Sequence, residues 1–289
     1  MKQAKLHHNP GAGEEGFTEE ELCDILRKEG FECRHFSTEN EFIIVAGGDG
    51  TVRKTVKELL HSEKDTASPP LALLPMGTAN NIAGSLSITG NLIDIIRSWH
   101  QHQLKYFDTG TVSGVKDTSF FIEGIGCGVF PQLIRTMKSI DKEISDNDTA
   151  AKINTALDEL HKLIPKFEAM ETTLLIDGTP YKGRYLLIEI MNIRSVGPNL
   201  LLAPHADPGD GMLEVVLVPE EARFELALYV QEQLNELATT SPFPAIRAKQ
   251  ISLQCKTASI HVDDQLIENL GEQVSLEIGI QAGRLSFLV

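Results

Sequence analysis

The chain has 289 residues, with 26 Lys plus Arg against 41 Asp plus Glu, a formal net charge of −15. That excess of acid argues against a protein that wraps nucleic acid or adsorbs strongly to an anionic bilayer. Hydrophobic residues make up 42% and charged residues 23%, which is ordinary globular usage; it excludes global disorder and leaves room for about two domains.

Residues 2 to 100 read as alternating strands and helices, the pattern of a mostly parallel sheet covered by helices. The first helix is signposted by Thr18 as cap with Glu21 closing a capping box, by Phe17 as a staple onto Leu22, and by Gly30 at its end. Leu22, Ile25 and Leu26 make its buried stripe. A second unit runs from the strand FIIVA (42–46) through GGDGT (47–51) into a helical stretch over 52–60. A third runs from LALL (71–74) through PMGTANN (75–81) into the helical IAGSL. From about residue 105 the texture changes to short β-like runs bounded by Gly, Asp, Asn or Pro: KYFDTGTVSG, TSFFIEGIG, ETTLLIDG, YKGRYLLIEIMN, NLLLAP, MLEVVLV, QISLQC, ASIHVDD, QVSLEI and RLSFLV. Helical stretches around 145–164 and 220–238 interrupt them, the second an amphipathic cover with Leu226, Leu228, Val230 and Leu234. The expected fold is therefore an α/β domain followed by a β-sandwich-like or barrel-like domain.

No apolar run approaches the ~18 residues of a membrane-spanning helix, and the first residues hold no apolar leader core, so the expectation is a cytoplasmic chain. Cys23, Cys33, Cys127 and Cys255 form no CxxC pair and read as free thiols. The histidines show no metal-ligand spacing, and His7 and His8, neighbours on a strand, point to opposite faces.

GGDGT after a buried strand has a phosphate-binding logic: glycines let the backbone approach a polyanion, and a following helix start offers N–H groups. Asp49 could hold a cation there and Thr51 a phosphate oxygen; a tight structural turn is the bland alternative. Its recurrence as PMGTANN at the next strand-to-helix junction gives two such turns on neighbouring strands, enough to line one nucleotide crevice. DPGDG (207–211) puts two acids on a turn suited to a hard cation, or is simply an Asp-rich turn. Asp263 and Asp264 between two β runs also read as a turn.

Four blocks, HNPGAG (8–13), IVAGGDGT (44–51), LPMGTANNIA (74–83) and MNIRSVGPNLLLAPHADPGDGMLEVVLV (191–218), with a fainter fifth, ASIHVDDQLI (258–267), resemble the diacylglycerol kinase catalytic-domain family. That family includes soluble bacterial diacylglycerol kinases, sphingosine kinases and ceramide kinase, and GGDGT alone also occurs in NAD kinases. The resemblance implies an amino-terminal α/β nucleotide-binding domain, residues 1–104 with the final strand 283–289, and a β-sandwich-like lipid-substrate domain, residues 105–282. It implies that Asn9, Gly11, Gly47, Gly48, Asp49, Gly50, Thr51, Gly77, Thr78 and Asn80 meet ATP or its Mg²⁺. It implies a Mg²⁺ site at Asp207, Asp210 and the carbonyl of Met212, and Asp263 as general base toward a lipid hydroxyl. The implied protein is an ATP-dependent lipid kinase that visits membrane surfaces; the acidic charge argues against a nucleic-acid partner, and exposed sheet edges would allow a homodimer.

Departures mark a diverged member. Asp263, Asp264 and Gln265 stand where the family reads Asp-Gly-Glu; Asn81 stands where Asp is frequent. Arg53 and Lys54 replace Asn and Glu, Glu123 replaces an Asn, and only STENE (37–41) separates CRHF from FIIVA, where a helix is usual. Two other functions stay open: a catalytically weak nucleotide- or lipid-binding regulator, and a kinase of a soluble hydroxyl compound, as in NAD kinase.

Overall fold

The computed structural model describes residues 2–11, 16–33, 42–61, 68–140, 148–237 and 240–289. The chain forms two compact units, Met1–Phe107 with Gly283–Val289, and Asp108–Ala282. STENE and most of CRHF lie outside the described residues.

In the first unit β1 (Lys2–His8), α1 (Glu19–Lys28), β2 (Phe31–Cys33), β3 (Phe42–Gly47), α2 (Asp49–His61), β4 (Leu71–Pro75), α3 (Asn81–Ser85) and α4 (Leu92–Ser98) follow in chain order. β2, β1, β3 and β4 pair side by side, all parallel, and Phe287 at the end of the chain pairs with Leu71. Every residue of β3 is buried, as a parallel strand covered on both faces requires, and this is why its sequence is an unbroken apolar run. α1 starts at the expected capping box, Thr18 accepting from the Glu21 N–H while the Glu21 carboxylate accepts from the Thr18 N–H. Leu22 and Leu26 are its buried residues. α1 gives way to Gly30 at φ 92°, a left-handed position that suits glycine. α2 starts earlier than expected, at Asp49, so the acidic residue of GGDGT belongs to its first turn.

β5 (Leu104–Ser113) leads into the second unit, where β6 (Phe120–Phe121), β7 (Gly124–Gly128), α5 (Val129–Ile140), α6 (Thr149–Leu163), β8 (Met170–Ile176) and β9 (Thr179–Met191) follow. Then come β10 (Ser195–Val196), β11 (Leu200–Leu201), β12 (Leu213–Pro219), α7 (Arg223–Leu234), β13 (Ala245–Ala248), β14 (Gln250–Cys255), β15 (Ile260–Val262), β16 (Gln265–Ile267) and β17 (Val274–Leu288). The ladder runs β17, β14, β8, β9, β7, β15, β16, all antiparallel, with β12 also on β9 and β13 on β12. One apolar core, with Ile125, Leu174, Ile190, Leu253 and Leu276, lies between strands. Another packs Phe130, Leu157, Leu160, Leu226 and Tyr229 of α5, α6 and α7 onto Leu187 and Val216. Each such side chain, fully enclosed, contributes roughly 1.5–3 kcal/mol relative to exposure.

Four expectations need correction. QVSLEI and RLSFLV are one strand, β17; NLLLAP holds only the two-residue β11 before the chain turns. α5 and β13 were not anticipated: Pro131 in VFPQLI sits within the first turn of α5, where its missing N–H costs nothing. On α7 the buried residues are Leu226, Tyr229 and Val230, while Leu228 is exposed.

Candidate active site

In the first unit the two glycine turns meet backbone to backbone. β3 and β4 pair in parallel with Gly47 opposite Pro75, and the Met76 N–H donates to the Gly47 carbonyl at 3.1 Å. A Cβ on Gly77 would lie 2.3 Å from the Gly48 Cα, and one on Gly48 would lie 2.8 Å from the Gly77 Cα. No side chain fits there, so closeness rather than unusual dihedrals explains these glycines. Asn80 sits at φ 51° and closes its turn on itself, accepting from the Gly77 N–H and donating to the Gly77 carbonyl, both at 2.8 Å.

Asp49 ties the turns together. Its Oδ2 accepts from the Asn81 N–H at 2.9 Å and its Oδ1 from the Ile82 N–H at 3.1 Å, so it caps α3 from the first turn of α2. Thr51 donates its N–H to the Gly48 carbonyl at 2.9 Å, and its Oγ1 accepts from Asn9 Nδ2 at 3.4 Å. Asn9 Oδ1 in turn accepts from the Gly11 N–H at 3.2 Å. Gly50 and Thr78 are exposed at the rim. Asn9, Gly11, Gly47, Gly48, Asp49, Thr51, Gly77 and Asn80 thus converge at the carboxyl ends of β1, β3 and β4, where open α/β sheets bind phosphates. Of the two extra basic residues, Arg53 is buried and Lys54 exposed.

In the second unit Asp263 opens the two-residue turn between β15 and β16. It is buried, at φ 53°, in the left-handed region that Asp tolerates better than most side chains. Its Oδ1 accepts from the N–H groups of Ile122, Glu123 and Gly124 at 3.1, 2.8 and 3.3 Å, and its own N–H donates to the Gly124 carbonyl at 2.8 Å. Three N–H dipoles on one oxygen fix the carboxylate and favour its negative charge. Asp264 has no positive φ, so the family glycine missing there costs the turn nothing, and Gln265 is exposed.

Residues that sequence reasoning did not single out surround this aspartate. Asn192 donates Nδ2 to the carbonyls of Asp108 and Ile122 at 2.9 and 3.0 Å. Asp108, fully enclosed, accepts from the Gly211 N–H at 2.7 Å and so links the DPGDG turn, through Asn192, to the 122–124 segment that holds Asp263. His261 faces Glu189: Nε2 lies 2.9 Å from both carboxylate oxygens, and Nδ1 lies 3.0 Å from the Asp263 carbonyl. Burial pushes the Glu189 carboxyl up, with His261 offsetting only part. Burial pulls His261 down, but the Glu189 carboxylate and the bonds to Glu189 and Asp263 outweigh it, so its value is raised. The legible signal for this group was an acid inside the apolar run YLLIEIMN and a histidine inside ASIHVDD, since buried charge needs a partner.

In the DPGDG turn Asp207 Oδ1 accepts from the Gly209 N–H at 3.1 Å and Asp210 Oδ1 from the Met212 N–H at 3.0 Å. Two carboxylates and a carbonyl are the donors a hard cation takes. Asp210 is, however, ion-paired with Arg247, and no group of three or more His, Cys, Asp or Glu able to hold a metal ion occurs among the described residues. All four cysteines are free; burial and the neighbouring Cys23 push Cys33 up to about 12, so it stays a thiol. No helix among the described residues is long and apolar enough to cross a membrane.

Residues 9–112 match the family model described as diacylglycerol kinase catalytic domain, and residues 146–277 the one described as YegS C-terminal NAD kinase beta sandwich-like domain. Over 246 residues the chain is 26% identical to a diacylglycerol kinase of Bacillus subtilis (strain 168), covering 75% of this chain and 74% of that one. It is 24% identical over 253 residues to a diacylglycerol kinase of Staphylococcus aureus (strain MRSA252), covering 78% and 73%. Among solved structures it is similar to a diacylglycerol kinase from Bacillus anthracis str. Sterne, with TM-score 0.70, 19% identity, and 99% and 96% of the two chains covered. A more distant likeness is to an NAD kinase from Archaeoglobus fulgidus in complex with ATP, with TM-score 0.50, 12% identity, and 100% and 94% covered. These likenesses show the expected fold class, an α/β domain with a β-sandwich-like one.

Proposed function

The chain belongs to the diacylglycerol kinase catalytic-domain family, and from that premise we propose that it transfers the γ-phosphate of ATP to the hydroxyl of a lipid. The observation that carries the proposal is Asp263, a buried carboxylate held by three backbone N–H groups on a short hairpin turn. A carboxylate fixed in this way needs no reorganisation when it takes the hydroxyl proton. The freed oxygen bonds to the γ-phosphorus as the bond to the ADP oxygen breaks, a reaction that depends mainly on positioning and charge neutralisation.

In this reading Asn9, Gly11, Gly47, Gly48, Asp49, Gly50, Thr51, Gly77, Thr78 and Asn80 serve the nucleotide, with Asp49 holding the two turns in register. Magnesium, if carried with ATP, would supply neutralisation of the phosphate charge there, with Asp49 the carboxylate placed among these residues. Asp207, Asp210 and the Met212 carbonyl would hold a second ion once Arg247 leaves Asp210. The acceptor lipid implies transient contact with a membrane surface.

The test is transfer of labelled γ-phosphate from Mg-ATP to a total lipid extract in detergent, with Asp263→Asn as control. Labelled lipid with the wild type, and a loss of at least about 100-fold in the variant, is the expected result. ATP binding without any labelled lipid would overturn it. Labelled NADP formed from NAD would then favour the soluble-acceptor reading, which the likeness to an NAD kinase supports. Activity restored by Gln265→Glu would instead identify a weakened lipid kinase.

A further inference from the structure

The proposed reaction makes no use of the Glu189–His261 pair, although both side chains are enclosed, at 0% and 1% exposure. Burying an ionisable pair gains little over apolar packing, so its location is informative. It ends on Asp263. Glu189 on β9, Gly126 on β7 and His261 on β15 stand in one row across three strands. Gly126 is the gap through which the outer two meet, since a Cβ there would lie 2.3 Å from Glu189 Oε1. Phe130 packs edge-on against the imidazole, ring centres 6.1 Å apart. Asp263 is the other titratable group acting on the pair, and Glu189 in turn helps to raise the Cys127 thiol.

A carbonyl oxygen only accepts, so the 3.0 Å contact to Asp263 requires the proton on His261 Nδ1. Nε2 then either accepts from a protonated Glu189 or, in the imidazolium, donates to its carboxylate. Both states keep Nδ1–H on the Asp263 carbonyl. Loss of the shared proton removes that arrangement: a neutral imidazole facing an ionised Glu189 puts its one hydrogen on Nε2 and turns a lone pair toward the carbonyl.

We propose that His261, oriented by Glu189, is a positioning residue for Asp263, holding its carbonyl so that the left-handed turn aims the carboxylate. The assignment rests on Asp263 as the base of the proposed reaction. With the carboxylate fixed by the 122–124 amides and the carbonyl by His261, the residue is clamped at both ends, as a strained backbone position in a working site requires.

Two substitutions separate positioning from packing. In His261→Asn the amide nitrogen takes the place of Nδ1 and can still donate to the Asp263 carbonyl. In His261→Gln it takes the place of Nε2 and reaches Glu189 instead. The expected result is a kcat within about threefold of wild type for Asn and about 100-fold lower for Gln, with the KM for ATP unmoved in both. Equal losses in the two variants, or loss in neither, would overturn the proposal. A second readout needs no activity: the amide resonances of residues 122–124, which report the Asp263 carboxylate, should shift in Gln and stay in Asn. Glu189→Gln, which can donate to Nε2, should leave those resonances in place. If the wild type transfers phosphate to no acceptor, the lipid-kinase reading fails while the resonances still decide whether His261 positions Asp263; unmoved resonances in the Gln variant overturn it.

Discussion

In the first unit the candidate site is made of backbone: Gly48 and Gly77 touch, and Asp49 and Asn80 spend their side chains on main-chain groups. In the second it is made of side chains delivered by separate strands, with Asp263, Glu189 and His261 enclosed and dependent on one another. In the proposed function the difference follows from what each would hold. A polyphosphate is met by close, rigid N–H groups and needs no titrating partner. An acceptor hydroxyl needs a group that takes a proton, which means a buried ionisable residue and neighbours that satisfy it.

The comparison breaks most visibly at Gly126. Gly126→Ala drives a methyl to 2.3 Å from Glu189 Oε1, separates the pair and leaves a buried charge uncompensated. A loss of about 3–5 kcal/mol is expected, read by denaturant unfolding. A variant of wild-type stability would mean that the pair yields easily, and the row across β9, β7 and β15 would lose its meaning. Gly77→Ala is the counterpart in the first unit, where the added methyl meets the Gly48 Cα at 2.3 Å. Overpacking backbone against backbone should cost about 1–3 kcal/mol and weaken ATP binding at least about tenfold by calorimetry. Unchanged affinity would remove the glycine contact from the nucleotide site.

Much of the first site was legible because its determinants are contiguous. GGDGT and PMGTANN each follow a buried strand, and the capping box of α1 spans only Thr18 to Glu21. The bridge between them was not legible: Asp49 meets Asn81 across 32 residues, and nothing in either turn announces the other as partner. The second site was legible only as a resemblance at Asp263. Glu189 and His261 are 72 residues apart and meet because β7 lies between their strands with a glycine in the row, a register that periodicity does not specify. α5 was missed for another reason. It follows β7 directly, so the run from Gly124 into Val129 and Phe130 reads as one apolar stretch.

Titration sharpens the comparison, because only the second site carries a shared proton. The raised value of His261 means that the folded pair keeps its proton above the ordinary 6.5 at which an unfolded histidine loses it. Its contribution is therefore fully present below that pH and is lost as pH rises through the raised folded value. Between the two, stability should fall by up to about 1.4 kcal/mol per pH unit for the one proton. His261→Asn should flatten this limb. Parallel pH–stability curves for wild type and variant would show that the pair holds no extra proton.

The smallest effect lies where structure and sequence agree most simply. Thr18 Oγ1 accepts from the Glu21 N–H at 3.2 Å, and Glu21 Oε2 accepts from the Thr18 N–H at 2.8 Å. The Thr18 N–H and the Thr18 hydroxyl, which donates to the same Glu21 Oε2 at 2.9 Å, hold the Glu21 carboxyl below the usual carboxylate range. Thr18→Ala removes one acceptor from an exposed helix start and should cost about 1 kcal/mol, measured by thermal unfolding, with ATP affinity and phosphate transfer untouched. A larger loss, or one that carries the activity with it, would mean that α1 is coupled to the glycine turns through β1. The backbone-built site would then depend on its surroundings as much as the Asp263 hairpin does on its buried pair.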